Sequence, residues 1–285
     1  MRMLALMILL FTAAVFVGSQ EQPSAAPAAA PEQAVQQKEQ IVPQFKKEQL
    51  EQLVAPIALY PDDLLAQILA GSTYPVDIVE AARWIKRNPS LDQDGINDEL
   101  KLKNWDPSVK GLVFFPELLA RMNDNLDWTK ELGDAFLTQQ KDLMDSIQVM
   151  RKKAQDAGVL KSDENQKVAT TAEGQTTIQP TNPETVYVQN YVPAESYGTT
   201  WTSASWDYPN VMAYPSWPWR PYPYPWALGY NCGWANHGLV YGNNYYNNNF
   251  YRNNVRYPST LPANRNWAYD RAHARQVTAG EQQMA

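Results

Sequence analysis

The chain has 285 residues, 44% of them hydrophobic and 19% charged, with a formal charge of −6, which is enough for one or two domains with a sizeable core. A single cysteine, Cys232, excludes an internal disulfide framework, so packing must hold the fold and this thiol is buried, free or paired with another chain. Residues 20–194 carry 17 Lys and Arg against 26 Asp and Glu, which excludes a nucleic-acid surface there, whereas residues 195–285 carry six Arg, no Lys and four acids.

The first segment, "MRMLALMILLFTAAVFVGSQ", has one early cation, Arg2, and then an apolar run over residues 3–17. That run falls short of the ~20 residues that span a bilayer, and Val17 and Ser19 suit a cleavage site before Gln20. We read residues 1–19 as a secretory signal peptide, which predicts export to the periplasm or cell envelope of a Gram-negative bacterium. No later run is long enough to cross a membrane. Residues 20–43 are rich in Ala, Pro and Gln, bury little, and read as a disordered linker.

Residues 44–160 carry a helical period. Pro61, Pro75, Pro107 and Pro116 each stand where a first helical turn tolerates them, and Asp62, Asp63 and Asp106 sit at positive helix ends. Gly71 is placed as the stop of the helix that Pro61 opens, and Ser90 as the cap of a short helix that carries Ile96 and Leu100. Asp127 is read as the cap of one long helix over 128–157, stopped by Gly158, with Leu132, Phe136, Leu143, Ile147, Met150 and Ala154 as its buried stripe. Trp84, Trp105 and Trp128 belong to the core or its rim, and Tyr60 and Tyr74 pin the chain ahead of helix-opening prolines.

The period changes in residues 161–194. Short β-prone runs at 177–178 and 186–188, with Asn182 and Pro183 as the turn, predict one small hairpin docked on the helices. The fold class is therefore mainly α: a compact multi-helix domain with one long C-terminal helix, a small β-hairpin, then an irregular tail rich in Trp, Tyr, Pro and Asn over 195–285.

That tail holds seven of the ten tryptophans and twelve of the sixteen tyrosines, with few aliphatic residues. In "SWPWRPYPYPW", residues 216–226, proline fixes φ and removes backbone donors, so the stretch is neither a helix nor a central strand. Proline also pre-extends the chain, so rings on it lose little entropy on contact. Trp217, Trp219, Tyr222, Tyr224 and Trp226, with Arg220 among them, are the candidate binding residues. This segment either stacks on a partner, an envelope glycan or another envelope protein, or wraps the chain's own helices.

The segments "LVAPIALYPDDLLAQILAGSTYPVDIVEAARWI", "WDPSVKGLVFFPELLARMNDNLDWTKELGDAF" and "VYVQNYVP" resemble the DUF3300 family of exported bacterial proteins of unknown function, in order, over roughly residues 49–193. The closing "NWAYDRAHARQV" is similar to a Trp-His-Asp-Pro-x-His-Arg motif of that family, with Tyr269 in place of the first histidine. The resemblance implies no activity, so it assigns no catalytic residue.

Nor do the residues themselves demand chemistry. Asp62, Asp63, Asp77, Glu80, Asp106 and Asp127 all sit near helix starts, where capping accounts for them, although paired carboxylates are also the apparatus of glycan hydrolysis. Cys232 and His237 make half a metal site without a second half. Phosphate-cradling glycine loops are absent. No catalytic residue, metal ligand or cofactor is assigned, and the oligomeric state is left open. The reading is an exported cell-envelope interaction or structural protein with an adhesive aromatic tail, with an envelope glycan hydrolase as the alternative.

Overall fold

The computed structural model describes residues 44–188, 193–198, 208, 220–222, 227–242 and 266–274, all within one compact unit. Eight α-helices come first: α1 (Lys47–Val54), α2 (Asp62–Ser72), α3 (Pro75–Arg87), α4 (Gln93–Leu100), α5 (Pro107–Leu112), α6 (Pro116–Asp124), α7 (Leu126–Thr138) and α8 (Gln140–Asp156). The strands β1 (Gln166–Thr170), β2 (Thr176–Pro180) and β3 (Val186–Val188) follow, then the short α9 (Pro193–Tyr197), then β4 (Arg220–Tyr222), β5 (Tyr230–Gly233), a 3-10 turn at Trp234–Asn236 and β6 (Gly238–Tyr241). The protein is mainly α with small antiparallel β parts, as its sequence indicates.

Helix α2 lies at the centre. Its sequence, DDLLAQILAGS, has no polar face, and every residue but Asp63 is buried. A helix that is apolar all round has to be covered on all sides. Helices α5 and α7 cover part of it, and β5, from the tail, covers another part. Ala227, Leu228, Tyr230, Cys232, Trp234 and Leu239 join the same hydrophobic cluster as the helices. The tail thus has short elements of its own, and their order comes from contact with the helical body.

Three local expectations differ. The single long helix is two, because the chain leaves helical geometry at Gln139 (φ −132°, ψ 42°), where the side chain bonds both backbone groups of Phe45: Phe45 N–H donates to Oε1 at 2.6 Å and Nε2 donates to Phe45 C=O at 3.0 Å. The buried stripe survives the break, since Leu132, Phe136, Leu143, Ile147, Met150 and Ala154 are all inaccessible. Two caps move: Asp92, not Ser90, caps α4, accepting from Gly95 N–H at 2.9 Å, and α7 opens from Asn125, which leaves Asp127 inside its first turn and not at its cap. The runs at 177–178 and 186–188 do not pair with each other. β2 pairs with β1 across a turn in which Gly174 takes φ +89°, and β3 pairs with β4 from the tail. A strand's partner depends on the chain that reaches its edge, which for β2 is the neighbouring β1 and for β3 is a segment from the tail.

Close approach of α2 and α7 requires Gly133, where a Cβ would lie 2.3 Å from the carbonyl oxygen of Ser72. Gly111 is required for the tail: a Cβ there would sit 2.4 Å from the carbonyl oxygen of Ala227.

Candidate functional site

The tail is stitched to the body by buried polar ties, and these ties build the one cluster of perturbed titratable groups with a cleft beside it among the described residues. The first tie starts from Asp62, in the opening turn of α2. Its Oδ1 accepts from Arg151 Nη1 at 2.6 Å and its Oδ2 accepts from Trp234 Nε1 at 2.9 Å. Arg151, fully buried on α8, also donates to the carbonyls of Ala58, Tyr60 and Thr176, and its guanidinium lies 4.8 Å from the Trp234 ring centroid. Burying an ion pair is favourable only when the remaining donors are satisfied, and here the carbonyls satisfy them. Gln67 makes the second tie: Nε2 donates to the Ser108 carbonyl at 2.7 Å, and Oε1 accepts from Gly229 N–H at 3.1 Å.

The third tie joins residues 266–274 to the start of α3. Pro75 opens α3 and places Asp77 in its first turn. Asp77 Oδ2 accepts from Asp106 N–H at 2.6 Å and pairs with His273 Nε2 at 2.8 Å. Asp106 caps α5, its Oδ1 accepting from Ser108 N–H and Oγ. Tyr74 OH accepts from Asp270 N–H at 2.9 Å, and the Tyr74 ring lies 5.3 Å from that of Tyr269. Asp270 in turn accepts from the backbone N–H groups of Ala272 and His273. Trp267 packs on Phe136, and its backbone N–H donates to the Leu239 carbonyl at 2.9 Å.

Burial tunes this cluster. It pushes the Asp106 carboxyl up to about 6, against the pull of its Ser108 hydrogen bonds. Burial pulls the Lys110 ammonium down to about 8, with Asp106 and Asp77 opposing. Burial also pushes the Tyr74 phenol far up, so it stays neutral. The Asp77 hydrogen bond raises His273 above its ordinary 6.5. Beside these groups lies a cleft of about 240 Å³, walled by Tyr74, Asp77, Lys130, Asp134, Leu137 and Tyr269.

The candidate acids divide by role. Asp62, Asp77 and Asp106 converge on these ties. Glu80 accepts from Trp105 Nε1 at 2.8 Å, Asp63 bonds the adjacent Leu64 N–H, and Asp127 stands in the first turn of α7. Cys232 and His237 part company: the thiol donates to the Asp62 carbonyl, and His237 pairs with Asp145 at 3.2 Å. Of the aromatic candidates, Arg220 and Tyr222 lie in β4, opposite Val188 and Val186 of β3. Trp217, Trp219, Tyr224 and Trp226 lie outside the described residues. The Asp77–His273 pair was not legible in the sequence, since 196 residues separate its members, and only the motif-like grouping of Trp267, Tyr269, Asp270 and His273 marked that segment.

These features define a mainly α protein whose C-terminal segments close over its own central helix. Residues 46–284 match the family described as "Protein of unknown function (DUF3300)", and the chain belongs to that family. It is similar to the "Uncharacterized protein YacH" of Escherichia coli (strain K12), with 40% identity over 202 residues, or 60% of this chain and 32% of that protein. The chain therefore spans about a third of the curated relative's length. No solved structure matches it.

Proposed function

We propose that this chain is an exported cell-envelope interaction protein, in which a helical body holds an aromatic segment out to envelope glycan. The observation that supports the reading is how that segment is attached. The chain pairs with β3 at Arg220–Tyr222 and is buried at Ala227, against Gly111, so two described points within and beside the aromatic stretch belong to the body. A segment anchored in this way loses less freedom when its rings meet a partner. The acids best placed for catalysis are also committed as cap and tie, Asp106 to Ser108 and Asp77 to His273.

Co-sedimentation of the mature protein with isolated envelope glycan tests the reading. Replacing Trp217, Trp219, Tyr224 and Trp226 together by Ala is expected to lower retention more than tenfold, from ring contacts of ~0.5–1.5 kcal/mol each. Equal retention of both forms refutes it. One observation favours the hydrolase alternative, the Asp106 carboxyl held near 6 beside a second acid, Asp77. Release of soluble fragments from that glycan by the mature protein would establish catalysis in place of simple binding.

A further inference from the structure

The cleft between the start of α3, helix α7 and the C-terminal segment has a lining that specifies a kind of ligand. Its charged groups are of both signs. Asp77 is matched by His273 at 2.8 Å. Burial raises Asp134, while the nearby charge of Lys130 pulls it back down. The lining thus mixes both signs, with no run of one sign that would favour an ion over a neutral ligand. What remains is hydrogen-bonding capacity beside ring faces. Both hydrogen bonds of the Asp77 carboxylate fall on Oδ2, and none among the described residues reaches Oδ1. Lys130 offers donors at the rim and Asp134 offers acceptors there. Tyr74 and Tyr269, tilted 39° to each other, form an aromatic corner, and Leu137 stands 40% exposed on the facing wall.

Size narrows the class further. A volume of about 240 Å³ lies below the ~300–1,000 Å³ of sites for drug-sized ligands, so the cleft holds about one ring. A neutral ring with C–H faces and several hydroxyls matches both parts of this lining. We infer that the cleft is a binding site for a single uncharged sugar unit, such as the end of a glycan chain, and that the C-terminal segment completes the site through Tyr269. This deepens the glycan-binding reading above and rests on it for its setting, since it names a second point of contact away from the aromatic segment.

The test titrates the full mature protein with an N-acetylglucosamine trimer and a glucose trimer, with spermidine and succinate as ionic controls, following heat by calorimetry. Saturable binding of at least one trisaccharide is expected, with neither ionic control competing. Asp134→Asn and Tyr269→Ala are each expected to weaken it about tenfold or more, as loss of a hydrogen bond to a charged group or of a stacking wall does. The Asp134 side chain is exposed between buried neighbours on α7, so its variant reads the site without unsettling the fold. In the variant lacking Trp217, Trp219, Tyr224 and Trp226, which reads the cleft apart from the aromatic segment, Asp134→Asn is expected to weaken the remaining trisaccharide binding about tenfold or more. Absence of trisaccharide binding, preference for an ionic control, or unchanged affinity in Asp134→Asn overturns the inference. Retention on whole glycan that depends on the aromatic segment alone leaves the broader reading standing and sinks this one; trisaccharide binding at the cleft without such retention does the reverse.

Discussion

Arg151 shows how much of the fold can rest on one buried charge. It makes four hydrogen bonds and neutralises Asp62, with both side chains nearly inaccessible. Arg151→Met leaves Asp62 buried without its cation and is expected to cost about 3–5 kcal/mol, read as a lower denaturant midpoint. His273 gives a pH-dependent counterpart. Its folded pKa is raised above 6.5, so the stability from its pairing with Asp77 is complete below 6.5 and is lost as pH rises through the folded value. Asp106 acts in the same sense at lower pH: its folded value of about 6 exceeds the ordinary 3.8, so stability falls as pH climbs across that interval. Lys110 is opposite, with a folded value of about 8 below the ordinary 10.5, so stability recovers as pH rises between them. Denaturation over a pH series is expected to show all three trends, and His273→Gln is expected to remove the decline above 6.5 while leaving that below about 6.

Among the elements, the junction of α7 and α8 illustrates a side chain overruling a helical pattern. The apolar stripe resumes in phase beyond Gln139, the polar residue that stands at its 139 position, so periodicity alone reads one helix. The break exists because Gln139 reaches back 94 residues to hold the chain just before α1. Gln139→Ala removes both bonds and is expected to lower stability by about 1–3 kcal/mol, measurable by thermal melting. The strands carry the same lesson. β2 and β3 were legible as extended segments from their β-branched residues, but their partners, β1 and β4, follow from which chain reaches each edge.

For the molecule as a whole, body and tail share one core. Ending the chain after Gly198 takes Leu228, Tyr230, Trp234 and Leu239 out of the core and uncovers α2 where β5 lay. Each large side chain so lost removes about 1.5–3 kcal/mol of burial, and together they are comparable to the ~5–15 kcal/mol that holds a typical domain. The truncated protein is expected to bind a hydrophobic dye and to melt without a sharp transition. A cooperative melt at the parent temperature would show that the helices suffice alone.

The sequence by itself determined the helices, because proline at the first turn, acids at positive ends and stripes at 3.6-residue spacing are local signals. Its LLAQILAG run also leaves α2 no polar face, a demand for cover on every side that the fold brought out. It could not say what supplies that cover. Asp62 meeting Trp234, Gln67 meeting Gly229 and Asp77 meeting His273 span 172, 162 and 196 residues. Only the tertiary structure decided those meetings, because a buried polar group accepts whichever partner the packed chain brings within about 3 Å, and no local pattern records which one that is.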